Sequence, residues 1–281
     1  MKGFASLLPG AIGSAIRAAF WAIFWAAFWP SGGPAFAGVM ATHRAVYALA
    51  LDPLSGGTDL TGVEGIMTYE WADACKGWTT AEKADLKLFY QDGHQDGLGW
   101  TLNSWEAKDG LSYRFLVRDF TGDKQSSELE GEATLRGPGE PGIAHFTKPT
   151  TEAMALPAGT LFPTAHSDTL LRHLAAGDRQ FYATVFDGTD DKQLFQISAV
   201  LSSTLKPSAE DSRLSPLLAE GPIYRLGLAF YGAHAESSTP DQEQTVDLYA
   251  NGIIDKLTLD YGDFTVDAVL KTLEAVPSPG C

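Results

Sequence analysis

The chain is poor in the residues that build reactive centres. It has two cysteines, six histidines and four methionines in 281 residues. His166 and His173 lie seven apart on one expected helical face, about 10 Å of rise, too far to share an ion. No H-E-x-x-H, G-x-S-x-G or G-x-x-x-x-G-K-[ST] occurs, so zinc-peptidase, serine-hydrolase and phosphate-cradle chemistry lack their spacings. Catalytic residues, cofactor and metal are all expected to be none. Basic residues are also scarce: 20 Lys and Arg stand against 35 Asp and Glu, a net charge of −15. Such a surface repels phosphate backbones and anionic headgroups, which disfavours nucleic acid as a partner.

Long apolar runs are nearly absent too. The exception is Ala18–Trp29 (AAFWAIFWAAFW), preceded by Lys2 and Arg17 and stopped by Pro30-Ser-Gly-Gly-Pro34. Twelve residues are too few for a spanning helix, which needs about 20. Ala35-Phe36-Ala37 follows, with small side chains where signal peptidase has shallow pockets. Residues 1–37 therefore read as a signal peptide cleaved between Ala37 and Gly38. No cysteine near that point offers a lipid attachment. Export would remove two positive charges, leaving −17 on a soluble domain running from residue 38 to 281. Its acidic residues are spread out, which suits plain solubility.

In an oxidising compartment the simplest fate of Cys75 and Cys281 is a disulfide. Two free thiols and a metal pair are the alternatives. A metal pair is poor without histidines at matching spacing.

What is abundant is alternation. Ala45, Tyr47, Leu49 and Leu51 share a face, as do Tyr224, Leu226, Leu228 and Phe230. This period-two pattern marks half-buried strands. Further strands are expected over 111–120 and 193–205. Asp109-Gly110, Asp187-Gly188 and Asn251-Gly252 supply turns, the last predicting a tight hairpin with positive φ at both positions. One segment differs. Residues 164–176 place Leu170, Leu171 and Leu174 on one helical stripe, with Thr164 as cap and Gly177 as stop. Residues 264–276 fit helix and strand equally. The expectation is an all-β domain, 38–281, with one short amphipathic helix.

Several side chains invite chemistry. Asp187–Asp191 is acidic but lacks the spacing of a calcium loop. Glu106, Asp109, Asp119 and Glu130 are candidates for a carboxylate pair acting on peptidoglycan, if the fold brings two together. Trp71, Trp78, Trp100 and Trp105 would line either a ligand groove or, more in keeping with a β core, the interior.

The motifs His43-Arg44-Ala45-x-Tyr47-x-Leu49, Gly62 through Glu70, Cys75-x-Gly77-Trp78 and Ser104-Trp105-Glu106 resemble one family. So do Leu156-Pro157-x-Gly159-Thr160-x-Phe162-Pro163-Thr164-x-His166, Phe186-Asp187-Gly188 and Leu273-Glu274-x-x-Pro277-x-Pro279-x-Cys281. That family is the periplasmic cell-envelope integrity proteins of the EipB type. The resemblance implies a curved antiparallel β-spiral, open and barrel-like, with a disulfide from the early strand to the carboxyl terminus. It implies the periplasm of Gram-negative bacteria, a role in envelope integrity and no known enzymatic activity. The architecture is similar to LolA/LolB-type lipoprotein carriers. The expected partner is another envelope protein, with an apolar or lipid ligand as the alternative.

Overall fold

The computed structural model describes residues 40–53, 59–190, 194–232, 239–260 and 264–281. The expected signal segment, with Ala37 and Gly38, lies outside the described residues. The first eight strands are β1 (His43–Leu51), β2 (Leu60–Asp73), β3 (Gly77–Tyr90), β4 (Gln95–Ala107), β5 (Ser112–Thr121), β6 (Lys124–Leu135), β7 (Gly142–Lys148) and β8 (Glu152–Leu156). After the short β9 (Thr160–Leu161) comes helix α1 (Pro163–Ala176). Then follow β10 (Gln180–Val185), β11 (Phe195–Leu205), helix α2 (Ala209–Leu214), β12 (Ile223–Gly232), β13 (Gln242–Tyr249), β14 (Ile254–Asp260) and β15 (Thr265–Ala275).

All fifteen strands form one sheet, ordered β8-β7-β6-β5-β4-β3-β2-β1-β15-β14-β13-β12-β11-β10-β9. It curls into a nearly closed barrel with one seam, between β8 and β9. The cause is visible in the pattern: long alternating strands joined by short turns pair antiparallel with their neighbours, and the exception to the expected antiparallel sheet is β9, which pairs parallel with β10 because helix α1 carries the chain back between them. Register shifts at Val46/Tyr47, Leu60/Gly62, Asp119/Phe120 and Leu201/Ser203 add local twist, which helps the sheet close.

Inward positions line up across strands. One such row reads His43, Trp71, Thr80, Ser104, Phe115, Gly131 and Phe146, from β1 to β7. The largest side chains under 2% exposed include Trp71, Tyr47, Tyr69, Tyr113, Phe146, Phe162 and Phe186. Fully burying an aromatic or aliphatic side chain of this size contributes roughly 1.5–3 kcal/mol. This inner layer is therefore the principal source of stability.

The structure alters four expectations. Helix α1 begins at Pro163, and its N-cap is Phe162, which offers no side-chain cap. Thr164 lies inside the first turn, because proline's fixed φ starts the helix one residue earlier. The Asn251-Gly252 hairpin is wider than a two-residue turn: β13 ends at Tyr249 and β14 starts at Ile254. Only Gly252 takes positive φ there, at 83°, with the register shift at Asp247/Leu248 absorbing the extra length. The ambiguous stretch near the carboxyl terminus is strand β15, since β1 and β14 pair with it from both sides. Finally, three tryptophans are core, while Trp105 faces outward.

Candidate functional site

Glu106, which points inward like Ser104 of the same Ser104-Trp105-Glu106 motif, lies near the end of β4 and is 1% exposed. Its two carboxyl oxygens accept the backbone N–H groups of Thr164 (2.6 Å) and Ala165 (2.9 Å). Those are orphan donors of the first turn of α1, so a strand carboxyl supplies the cap that the helix itself lacks. Burial pushes the Glu106 carboxyl up to about 8, outweighing the two N–H groups that favour its charged form. At its other end α1 closes on Gly177, in the left-handed region. Leu170, Leu171 and Leu174 are buried, and the rings of His166 and His173 lie 5.7 and 4.9 Å from Phe181 of β10. Through β4 and β10 the helix ties together the two flanks of the seam.

Most residues singled out in the sequence meet around this tie. Gly159 donates its N–H to Gly139 (3.1 Å), and the Thr160 hydroxyl donates to the Pro157 carbonyl (2.8 Å). This tight turn carries the chain from β8 to β9. Phe162 packs 5.5 Å from Tyr113, and Phe186 meets Tyr113, Phe115, Phe146 and Phe162 edge-on. The Tyr113 hydroxyl donates to the Asp187 carbonyl at 2.8 Å. The Asp187 carboxyl accepts from the N–H and hydroxyl of Thr189. It thus shapes a turn, which explains the acidic run better than calcium does. Gly188 has φ of 73°, and a β-carbon there would sit 2.5 Å from the Phe115 ring. Pro163 and His166 belong to the same assembly as the start of α1.

At one end of the barrel, Cys75 and Cys281 are bonded, with Cα atoms 6.0 Å apart and 206 positions between them. The tail leaves β15 beside the start of β1, where Thr42 and Val276 exchange hydrogen bonds. It then reaches the β2–β3 turn. Cys75 takes a left-handed φ of 64°, held by its N–H to the Asp73 carboxyl (2.7 Å). Lys108 bonds Asp73 and stands 4.5 Å over the Trp78 ring. His43 is buried nearby. Its Nδ1 is 2.7 Å from the Ala41 carbonyl, and burial lowers its pKa to about 4, so it is a neutral core histidine.

The four candidate carboxylates do not converge. Glu106 faces in and Glu130 faces out, 3.4 Å from Lys148. Asp109 accepts Leu111 N–H in a turn. Asp119 bonds Ser127 some six residues along β5 from Tyr113, about 20 Å away. A carboxyl outside that set that shares the interior with Glu106 is Glu82, on β3. It accepts the Trp100 indole N–H at 2.8 Å, and its pKa is likewise raised to about 8 by burial. Sequence reasoning passed over Glu82, although its place in the alternation Glu82, Ala84, Leu86, Leu88 assigns it to the inside. Among the described residues no group of three His, Cys, Asp or Glu is placed to hold a metal ion. None of the described helices is long and apolar enough to cross a membrane.

Among the described residues, the outer face carries grooves on both halves of the sheet. One, about 420 Å³, crosses β4–β7 and is lined by Trp105, Arg114, Glu130, Glu132, His145 and Thr147 among others. Arg114 stacks on Trp105 at 5.2 Å, and the Trp105 ring lies so close over Gly77 that a β-carbon there would be 2.4 Å from it. That contact accounts for the glycine in Cys75-x-Gly77-Trp78. The other groove, about 490 Å³, crosses β11–β14 and ends at Asp52 and Thr265.

Comparison with known proteins agrees with this picture. The chain is 27% identical, over 240 residues and 84% of each protein, to the cell envelope integrity protein EipB of Brucella abortus (strain 2308). A crystal structure of a β-barrel-like protein of a domain of unknown function from Brucella abortus superposes with a TM-score of 0.78. It is 25% identical and covers 86% of this chain and 100% of that one. Residues 34–277 match the EipB-like family, and with a single curled sheet as their common architecture the chain belongs to that family.

Proposed function

We propose that this chain is a non-enzymatic periplasmic factor that supports cell-envelope integrity by binding another envelope protein, or a segment of one, on the outside of its barrel. In this reading residues 1–37 are removed on export, and the domain from residue 38 to 281 is stapled by Cys75–Cys281. The envelope role follows the relative's name, cell envelope integrity protein. The mode of action rests on one observation: among the described residues the inward face carries one continuous cluster of buried aromatic and aliphatic side chains, whereas the outward face carries open grooves. A carrier of acyl chains needs the reverse arrangement, an apolar lining left free for a guest.

Photocrosslinking in living cells tests this reading. A crosslinking residue is placed in turn at outward positions such as Thr245, Asn103 and Thr147. An adduct with one envelope protein from at least one position supports it. Adducts from none of them, with the protein exported and folded, would overturn it.

A further inference from the structure

The fifteen-stranded sheet stops at a bare edge. β8 bonds to β7 on one side, and among the described residues no strand lies along its other side. β9 does not fill the place: it is two residues long, pairs with β10, and follows β8 after three residues that turn at Gly159. The parity of the ladder tells which backbone groups of β8 are spare. Arg136 donates its N–H to the Pro141 carbonyl, so Thr134 and Ile143 form the next bonded pair between β6 and β7. Residues 142, 144 and 146 of β7 then turn their backbone groups the other way, to Leu156, Met154 and Glu152. That leaves the N–H and C=O groups of Ala153 and Ala155 facing the open edge. Among the described residues neither alanine makes another backbone hydrogen bond, and both are exposed.

Natural sheets blunt such an edge with lysine, an inserted proline, a bulge or a covering element. Over Ala153-Met154-Ala155 the edge has no charge and no proline, and its register with β7 is unbroken. Apolar side chains flank it on both faces. Inward, Met154 is half-buried. Outward, Ala155 pairs with Ile143, which is 38% exposed. Ala153 ends the outward row Trp105, Arg114, Glu132, His145 and Ala153, one residue from each of β4 to β8. That row runs along the groove of about 420 Å³, so groove and edge form one continuous surface.

From this geometry we infer that the bare edge of β8 is the docking site for an extended segment of the partner protein, which adds to the sheet as a further strand. The spare amides and carbonyls select the occupant, because an extended backbone supplies acceptors and donors at their repeat. Pairing along the five residues of β8 spans about 17 Å. The added strand sets one side chain beside Met154 and others over Ala153 and Ala155, towards His145 and Ile143. A run of β-branched residues fits both faces. A second copy of this chain has a matching edge, but each copy carries a net charge of −15, which opposes bringing two together. The inference rests on the outer-surface reading above and adds where the segment sits and which of its atoms are recognised.

The test is amide hydrogen exchange, read by NMR on the oxidised protein with and without an uncharged, end-blocked peptide of sequence QVTVTVQ. Alone, the Ala153 and Ala155 amides should exchange freely while Met154, bonded to β7, is slow. Saturating peptide should slow both alanine amides at least tenfold. The same peptide N-methylated at every inner residue keeps its side chains, loses its donors, and should bind at least tenfold more weakly. Ala155→Pro should weaken the unmethylated peptide as much; it should still fold, because proline is tolerated where the N–H faces away from the ladder. Ile66→Ala, at a 58% exposed position on β2, should bind within twofold of the unaltered protein. No slowing at Ala153 and Ala155, slowing spread evenly over the sheet, or equal binding of the methylated peptide would overturn the inference. Equal weakening by Ile66→Ala would show diffuse apolar adhesion and do the same. So would a dimer of this chain that Ala155→Pro dissociates, since the occupant would then be a second copy. A partner crosslinked at Thr245 or Asn103 that still binds the Ala155→Pro protein would sink this inference while leaving the outer-surface reading intact.

Discussion

Glu106 on β4 and Glu243 on β13 occupy equivalent places, each on one face of a long antiparallel strand, and meet opposite environments. Glu106 points in, is removed from water, and spends both oxygens on the amides of α1. Glu243 points out, keeps its water, and faces a second carboxylate. On the inner face the carboxyls of Glu106 and Glu82 are met by the protein's own backbone and side chains. The outer face sets two exposed carboxylates on paired residues of β13 and β14. The difference separates what holds the barrel shut from what stays open to solvent.

The strongest way to break the inner half of that contrast is at its covalent fastener. Cys75→Ser or Cys281→Ser frees a loop closed over 206 positions, and chain entropy assigns such a loop about 5 kcal/mol. Urea denaturation should show a loss approaching that size. Reductant should lower the midpoint of the unaltered protein and leave both variants unmoved.

Next in size is Glu106→Ala. It leaves two buried amide donors and a vacated inward position, at a cost of about 3 kcal/mol. The loss should be focused on α1, read as faster hydrogen exchange over residues 163–176. Glu106→Gln keeps one acceptor oxygen and should lose less than half as much.

A smaller effect comes from titration. Burial raises the Glu82 and Glu106 carboxyls to about 8, so the folded state holds their protons after the unfolded state has released them. Their contribution to stability is complete below about pH 4.5, declines as pH rises to 8, and is flat beyond. His43 acts the other way. With its pKa lowered to about 4, its contribution is complete above about pH 6.5 and is lost as pH falls towards 4. Glu82→Gln retains an acceptor for Trp100 and should flatten the alkaline decline between pH 5 and 9, read from urea midpoints across that range. An unchanged slope would place the responsible group elsewhere. The smallest expected effect is at the outer half of the contrast: Glu243→Gln takes one like charge from the Glu243–Asp260 pair and should raise the melting temperature by about 1 °C.

Much of the fold can be read locally. β12 runs Ile223–Gly232 with Tyr224, Leu226, Leu228 and Phe230 all buried, as the alternation requires. The body of α1 shows in its leucine stripe. The cap of α1 does not, because its partner is 58 positions away in sequence. The same parity that buries Leu98, Trp100 and Leu102 also assigns Glu106 to the inside and Trp105 to the outside. Tryptophan's size argued for the core, but period two decides. Likewise, pairing residues outward from Asn251-Gly252 sets 243 against 260, and the bulge at Asp247/Leu248 restores that register after the wider turn. What no local pattern carries is the curl that brings β8 and β9 together, since it arises from twist accumulated over fifteen strands.

The account depends above all on the inner face being given over to holding the fold. The most direct measurement is native mass spectrometry of the purified, oxidised protein, with extraction of any bound lipid and displacement of a fluorescent fatty acid. A mass equal to the polypeptide with one disulfide, and no displacement, is the expected result. A stoichiometric acyl chain released only on unfolding would contradict it.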